Sequence, residues 1–206
     1  PIFPEVALYI IYKKGGVPFL FKGGDDGILF VHGFTGSPDQ LKPMAYYLNR
    51  EGYTCLGIRL RGHGTDPQDM ANYSDVDWIE DVTEGYRMLR SLCRRVYICG
   101  ISMGASLGLF IGENYAVDGL LCMSAPVYVY MNRALPLCRI LKCLKRYVAL
   151  RPESYFGKRF SPGYSMIPLC SIDSLYRVMK NVKKGISQVR CPLLLRKSVD
   201  DMLVKP

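Results

Sequence analysis

The sequence predicts an α/β fold built on a doubly wound, mostly parallel sheet. Short apolar runs typical of strands alternate along residues 28–123 with longer segments whose apolar residues have helical spacing. The 206 residues are 49% hydrophobic and 22% charged, which suits one globular domain with a sizeable core. Strands joined through helices run parallel, with helices on both faces of the sheet. Ligands of such sheets bind beyond the carboxyl ends of the strands, so functional residues are expected in the loops there.

Five strands are expected before residue 124. The run from Ile28 to Val31 is apolar at every position, as in a strand that is buried on both faces. A glycine-rich turn, residues 23–27, separates it from a shorter strand-like run at Phe19–Phe21. The later runs are Tyr53–Ile58, Val96–Cys99 and Gly119–Met123.

Three helices are expected between these strands. The first has Ser37 as its expected N-cap, with Pro38 in the first turn and Gln40 three residues after the cap, and it should run to about Arg50, where Gly52 closes it. The second begins with the capping pair Ser74 and Asp77, and its apolar stripe is Trp78, Ile79, Val82, Tyr86 and Leu89. The third follows residue 102.

The strand and helix alternation stops at residue 127. Residues 127–190 are expected to form a helical, basic cap inserted over the site, with helical patterns at Cys138–Tyr147 and Leu175–Lys184. Residues 130–197 contain 15 lysines and arginines against two acidic residues, in a chain of net charge +9. This basic segment is either an ordinary solvated surface or one that attracts anionic lipid or an acidic substrate. Residues 1–126 then form the first part of the core, and residues 191–206 add a core strand and the loop after it.

The eight cysteines indicate reduced thiols. They are scattered, and several lie in strand-like runs where cysteine behaves as a small hydrophobe. Because neither a Cys-x-x-Cys pair nor a cluster of histidine and cysteine occurs, no disulfide framework and no metal site is expected. The apolar run Val6–Tyr12 is too short to span a membrane and lacks the features of a signal peptide. These observations favour a cytoplasmic protein. Since the chain begins at proline, residues upstream could be missing.

The most informative stretch surrounds Ser102. A strand-like run meets the pentapeptide Gly-Ile-Ser-Met-Gly at residues 100–104, and a helix-like segment follows. A serine at the tip of such a turn sits in a strained backbone conformation, and side chains two residues away on either side would collide with the neighbouring helix and strand. Gly100 and Gly104 remove those side chains. A helix beginning at Met103 would point free N–H groups at a carbonyl that develops negative charge. The alternative is an ordinary structural turn.

Residues 28–126 resemble the α/β-hydrolase superfamily, in particular bacterial carboxylesterases and monoacylglycerol lipases. Four motifs in order carry the resemblance: His32 to Gly36, Gly62 to Gly64, Gly100 to Gly104, and Ser124 to Pro126. The resemblance implies that Ser102 attacks an ester carbonyl, and that the backbone N–H groups of Phe34 and Met103 form the oxyanion hole. It also implies that His32 and Gly33 are structural elements of the loop beside that hole, and that His63 is a structural loop residue as well.

The same resemblance implies a catalytic acid in the loop after the last strand, at Asp201, with Asp200 as the alternative. The two could also be an ordinary pair of solvated loop aspartates. The triad of such enzymes follows the chain order nucleophile, acid, histidine, yet both histidines of this chain precede Ser102. A serine without a base is a poor nucleophile, so the chain as given is expected to be nearly inactive. Either the sequence is truncated before the family's last strand, histidine and helix, or the protein is a pseudoenzyme that uses the pocket for binding.

The resemblance therefore implies a serine hydrolase that cleaves carboxylic esters through an acyl-enzyme. The implied substrates are short or medium acyl esters or monoacylglycerols, and no metal or cofactor is required. Thioesterase and acyltransferase chemistry stay open because the same strand, serine turn and helix serve those reactions. A non-catalytic binding protein with a hydrolase fold stays open as well. The expected partner is a small-molecule ester and not a nucleic acid. The basic cap is a candidate for peripheral contact with an anionic membrane, and the oligomeric state is not indicated.

Overall fold

The computed structural model describes residues 15–127, 141, 146–149 and 164–201, and these residues have the α/β architecture expected from the sequence. Their strands are β1 Phe19–Phe21, β2 Asp26–Val31, β3 Thr54–Gly57, β4 Arg95–Ile101, β5 Gly119–Met123, β6 Tyr147–Ala149, β7 Met166–Pro168 and β8 Leu193–Arg196. Their α-helices are α1 Lys42–Arg50, α2 Pro67–Met70, α3 Asp75–Leu92, α4 Met103–Asn114 and α5 Leu169–Gly185. Two 3-10 turns lie at Pro38–Gln40 and Ile186–Gln188.

Six strands form one sheet in the order β1-β3-β2-β4-β5-β8. β1 is antiparallel to β3, and the other neighbours are parallel. β6 and β7 form a separate antiparallel pair. In the register of the main sheet, Val31 pairs with Gly100, Ile101 pairs with Met123, and Met123 pairs with Arg196. The loops after β2, β4, β5 and β8 therefore leave the sheet side by side at its carboxyl edge.

The two faces of the sheet have separate apolar cores. On one face, Leu29 and Val31 pack in a cluster that includes Trp78 of α3 and Leu107 of α4. On the other face, Phe30 packs in a cluster that includes Ala45 of α1. Successive residues of β2 thus point to opposite faces, as the strand pleat requires. The predicted burial of this strand on both faces is confirmed.

Most predicted elements are present, with small shifts at their ends. The second helix begins with the expected capping contact, in which the Ser74 N–H donates to the Asp77 carboxylate at 2.8 Å. The first helix differs, because a 3-10 turn at residues 38–40 precedes α1. Gln40, which the sequence placed in a capping role, uses its side-chain oxygen to accept the N–H of Gly33 at 2.9 Å. A contact with the loop seven residues earlier therefore replaces the expected contact within the cap.

Helix α5 contains the predicted helical segment Leu175–Lys184, but it packs with the core. Its buried Val178 and Val182 join the cluster of α3 and α4. Because α5 packs against α3 and α4, residues 169–185 belong to the helices that cover the sheet and do not form part of a cap over the site. Tyr147, expected at the end of a helix, lies instead in β6, and most of the preceding predicted helix falls outside the described residues. A cap formed by the residues before α5 stays a prediction. In the described ranges, no helix is long and apolar enough to cross a membrane.

Candidate active site

Ser102 occupies the turn between β4 and α4, with φ 52° and ψ −123°. A positive φ is uncommon for a residue that carries a side chain, and such strain persists only where the surroundings impose it. The Ser102 N–H donates to the carbonyl of Met123 at 2.8 Å, which ties the turn to the end of β5. Ser102 is partly exposed, whereas Met103 is fully buried. The strand, sharp turn and helix expected around this serine are present.

The two glycines of the pentapeptide allow the backbone of this turn to pack closely. A Cβ atom on Gly100 would overlap the carbonyl oxygen of Gly104, and a Cβ atom on Gly104 would overlap that of Val31. The first glycine lets α4 fold back on β4. The second lets the start of α4 approach the end of β2. The predicted reason for the glycines, collision with the neighbouring helix and strand, is confirmed at both positions.

The loop after β2 lies next to the start of α4, because β2 and β4 are paired. Phe34 is in this loop, which is closed by the Gly36 N–H donating to the carbonyl of Gly33 at 3.0 Å. Thr35 has a positive φ of 59°. Met103 is the first residue of α4, where a backbone N–H has no intrahelical acceptor. The amides of Phe34 and Met103 thus belong to adjacent segments at the carboxyl edge.

His32 bridges the loops that follow β2 and β3. The N–H of Leu60 donates to Nε2 of His32 at 3.1 Å, so Nε2 is the unprotonated nitrogen. Nδ1 then carries the proton and donates to the carbonyl of Gly33 at 2.9 Å. Burial lowers the pKa of His32 to about 4, which keeps the ring neutral near pH 7. Because both nitrogens are engaged, neither can take a proton from Ser102 in this arrangement.

His63 is enclosed by aromatic rings beneath the same loop. Its ring centroid lies 5.1 Å from that of His32 and 6.1 Å from that of Phe34. The centroid of the Trp78 ring lies 5.4 Å from that of His63. Nδ1 lies 3.1 Å from the carbonyl of Arg61, while Nε2 is buried without a hydrogen-bond partner among the described residues. Burial, followed by the neighbouring His32, lowers the pKa of His63 well below its usual range, so it is also neutral.

The loop after β8 holds both candidate acids at the same edge of the sheet. Asp201 is partly buried, and its N–H donates to the carbonyl of Ser198 at 3.3 Å. Asp200 is exposed, and its N–H donates to the Ser198 hydroxyl at 3.3 Å. The Ser124 N–H donates to the Arg196 carbonyl at 2.8 Å, which joins the ends of β5 and β8. Two strand spacings of about 4.8 Å separate this loop from the turn of Ser102 at the level of the sheet.

The described cysteines and acidic residues do not build a metal centre. Within the described ranges, no group of three or more histidine, cysteine, aspartate or glutamate side chains could hold a metal ion. The six described cysteines are free thiols. Burial raises the pKa of Cys99 and of Cys122 to about 12, so these thiols are protonated and unreactive near neutral pH.

Three residues near the site were not identified from the sequence in the roles they have here. Gln40 was interpreted as a capping residue, although it holds Gly33. Trp78 was interpreted as part of a helix stripe, although its ring also packs 5.9 Å from that of Phe34. Tyr164 carried no sequence signal, and its hydroxyl contacts the loop after β3. A local pattern does not indicate a contact between residues that are distant along the chain.

Comparison with known proteins agrees with this geometry. The model of the family described as "Alpha/beta hydrolase family" matches residues 28–187. A thermostable monoacylglycerol lipase of Bacillus sp. (strain H-257) is 32% identical over 204 residues, which cover 94% of this chain and 77% of the lipase. A carboxylesterase of Bacillus subtilis (strain 168) is 26% identical over 190 residues, covering 91% of this chain and 76% of the esterase.

Solved structures agree as well. A structure reported for LipS and LipT, two metagenome-derived lipolytic enzymes, matches with a TM-score of 0.81 and 26% identity, covering 95% of this chain and 81% of that one. A monoglyceride lipase of Saccharomyces cerevisiae shares the fold at 14% identity, with a TM-score of 0.71 and coverage of 92% and 74%. The chain therefore belongs to the alpha/beta hydrolase family, as a lipase- and esterase-like hydrolase.

Proposed function

We propose that this protein hydrolyses monoacylglycerols or short to medium acyl carboxylic esters, with Ser102 as the nucleophile. The observation that carries the proposal is the backbone of Ser102, held at φ 52° in a strand-to-helix turn at the carboxyl edge of a parallel sheet. The names of the two curated relatives, a monoacylglycerol lipase and a carboxylesterase, support these substrate classes.

In the proposed reaction, the Ser102 hydroxyl oxygen attacks the ester carbonyl carbon and its proton passes to a general base. The carbonyl oxygen becomes an oxyanion that accepts hydrogen bonds from the N–H groups of Phe34 and Met103. Such donors contribute on the order of 3 kcal/mol each to the transition state. The bond to the alkoxy oxygen then breaks, and the alcohol leaves with the proton. Water attacks the remaining acyl-enzyme to release the acid and regenerate the serine.

We propose that the general base is a histidine from outside these 206 residues. Both ring nitrogens of His32 are engaged with Leu60 and Gly33, and His63 is enclosed by rings. The chain spans 77% of the lipase and 76% of the esterase, so each relative has further residues that are unmatched here. In this proposal the present sequence is the larger part of a longer enzyme. The coding sequence downstream of Pro206 tests it, and a continuation without a histidine would contradict it.

The nucleophile is tested by comparing two serines of the same segment. Ser102→Ala in the full-length protein should reduce p-nitrophenyl ester hydrolysis by about 10⁴-fold or more, because the attacking oxygen is lost. Ser106 lies one turn later in α4 and is fully buried. Ser106→Ala should keep turnover close to that of the wild type. Retained activity in the Ser102 variant would rule out the assignment.

The acid is tested with the two adjacent aspartates. Asp201 is favoured because it is partly buried while Asp200 is exposed. Asp201→Asn should lower kcat by up to about 10⁴-fold, since the base would lose the carboxylate that orients it. Asp200→Asn is the matched control and should have little effect. If the two variants behave in the opposite way, Asp200 is the acid.

A second candidate function is ligand binding without catalysis. It applies if the full-length protein has no third histidine, because His32 and His63 are both held in structural contacts and neither is placed to act as the base. A fluorophosphonate probe labels an activated serine, so it should label Ser102 in the full-length protein if the hydrolase proposal is correct. Absence of labelling, with ligand bound near Ser102, would favour the binding protein. Thioester and acyl-transfer substrates should be assayed alongside esters because the same strand, serine turn and helix serve those reactions.

We also propose a cytoplasmic location and peripheral contact with anionic membranes through the basic segment. The exposed positions of α5 include Lys180, Lys183 and Lys184. Attraction of such residues to anionic lipid weakens with salt, because the Debye length falls from about 10 Å at 0.1 M to about 3 Å at 1 M. Co-sedimentation with phosphatidylserine vesicles should therefore decrease between these salt concentrations. Salt-independent or absent binding would contradict this contact.

A further inference from the structure

The loop after β3 packs against the loop that contains Phe34. It includes two glycines in left-handed conformation, Gly62 at φ 73° and Gly64 at φ 70°. Between them is His63, whose ring packs against the rings of His32 and Phe34. The position of this turn therefore determines where His63 lies under the Phe34 loop.

Tyr164 fixes this turn from a distant part of the chain. Its hydroxyl donates to the carbonyl of Gly62 at 2.7 Å, and it accepts the N–H of Thr65 at 3.1 Å. The Thr65 hydroxyl is also 3.2 Å from the phenol oxygen. Tyr164 is 3% exposed, and burial raises the pKa of its phenol, so the hydroxyl keeps its proton near neutral pH. One side chain thus joins both ends of the turn, from about 100 residues away.

The contacts continue from this turn to the Phe34 loop. Within the loop after β3, the His63 N–H donates to the carbonyl of Leu60 at 3.0 Å. The Leu60 N–H in turn donates to His32, which donates to Gly33, the residue before Phe34. A shift of the turn would therefore act on Phe34 by two routes. One route is ring packing through His63, and the other is the hydrogen bonds through His32.

We propose that Tyr164 is a positioning residue for the oxyanion hole: its hydroxyl holds the turn at residues 62–65 in place, and the turn holds the Phe34 N–H in its catalytic position. The proposal rests on the proposed function of Phe34 and Ser102. Oxyanion-hole donors act on the transition state more than on the bound ester, and their effect depends on accurate placement. Loss of the Tyr164 hydroxyl should therefore lower kcat with little change in KM.

The chain provides its own reporter of the turn. Trp78 is the single tryptophan of these 206 residues, and it is fully buried. Its indole N–H donates to the carbonyl of Arg61 at 3.1 Å, and its ring contacts those of His63 and Phe34. The fluorescence of Trp78 therefore reports on this cluster whether or not the protein is active, and it is measured in a protein in which any tryptophan outside residues 1–206 is replaced by phenylalanine.

The test is Tyr164→Phe in the full-length protein, with Tyr86→Phe as the matched control. Tyr86 is also buried, and its hydroxyl donates to the carbonyl of Ala116 at 2.7 Å. Ala116 follows the end of α4, whereas Ser102 precedes its start. Each variant removes one hydroxyl that is bonded to a backbone carbonyl. Tyr164→Phe should lower kcat about tenfold with KM within about twofold, and it should increase acrylamide quenching of Trp78. Tyr86→Phe should change neither kcat nor quenching.

Equal kcat values for the two variants would overturn the proposal. A fall in kcat without any change in Trp78 quenching would overturn it too, because the turn would not have moved. If the wild-type protein has no esterase activity, the proposed function fails separately. The quenching comparison then still decides whether Tyr164 holds the turn, and unchanged quenching rejects it.

Discussion

The turn of Ser102 and the loop of Asp201 lie at the same edge of the sheet, but they are held very differently. Around Ser102, β4 pairs with strands on both sides, and Val31, Ile98 and Met103 are at most 1% exposed. In the described part of the chain, β8 pairs with β5 alone, and the exposed fractions of Leu193, Leu194 and Leu195 are 39%, 57% and 62%. Strand pairing on both sides of β4 and buried neighbours hold the turn of the candidate nucleophile. Among the described residues, the strand that leads to the candidate acid is held by pairing with β5.

The largest expected effect is at Gly104. Gly104→Ala should reduce the free energy of unfolding by about 4 kcal/mol or more, because the new Cβ would overlap the backbone of β2, which cannot move as a flexible side chain could. Gly108→Ala, in the same helix, would meet only the Ile98 side chain at 3.1 Å and should cost less than about 1 kcal/mol. Urea denaturation measures both. Similar losses in the two variants would mean that the turn is less tightly packed than described.

Acid should destabilise the fold through His32, which joins the loops after β2 and β3. Burial holds the pKa of His32 at about 4 in the folded protein, below its ordinary value of 6.5, so the unfolded chain binds more protons between these values. The stabilisation is therefore complete above pH 6.5 and should be lost as the pH falls toward 4, by about 3 kcal/mol. His32→Asn should reduce the slope of this part of the pH profile to the share that the buried His63 contributes. Parallel profiles for the wild type and the variant would contradict a buried neutral His32.

Substitution of a leucine by alanine should reduce the free energy of unfolding by at least about 2 kcal/mol more at the centre of the sheet than at its edge. Leu29 in β2 is fully buried, so Leu29→Ala should cost about 3 kcal/mol through lost burial and the cavity left behind. In the 206-residue chain, Leu194→Ala in β8 should cost less than about 1 kcal/mol, since more than half of that residue is exposed there. Chemical denaturation of both variants measures the difference. Equal costs would show that β8 is covered in solution.

The smallest effect is expected in hydrogen exchange. In the 206-residue chain, amides of β8 should exchange faster than those of β4, because β4 is paired on both sides and β8, among the described strands, is paired on one. Mass spectrometry of peptides that cover residues 95–101 and 193–196 can test this without a mutation. Equal protection would indicate that a further element pairs with β8 and holds the acid loop as firmly as the serine turn.

Much of the fold and part of the site could be predicted from residues close together in the chain. Apolar runs and helical spacing predicted the strands of residues 19–123 and, apart from the short helix α2, their α-helices, and the pentapeptide at 100–104 predicted the turn of Ser102. The interpretation of Gln40 was wrong because its capping pattern is local, whereas Gly33 competes for the same side chain. Helix α5 was predicted as a helix but assigned to the cap, since spacing identifies an apolar face and not the surface it packs on.

The sequence by itself determined that a serine stands in a glycine-flanked turn between a strand and a helix, because steric limits on the backbone act over a few residues. Tertiary structure alone decided which amides and side chains surround that turn. The His32 bridge to Leu60 spans 28 residues, and the contact of Tyr164 with Gly62 spans 102. Such contacts leave no periodic trace in the sequence, since they arise only when the chain folds and unrelated segments meet at one edge of the sheet.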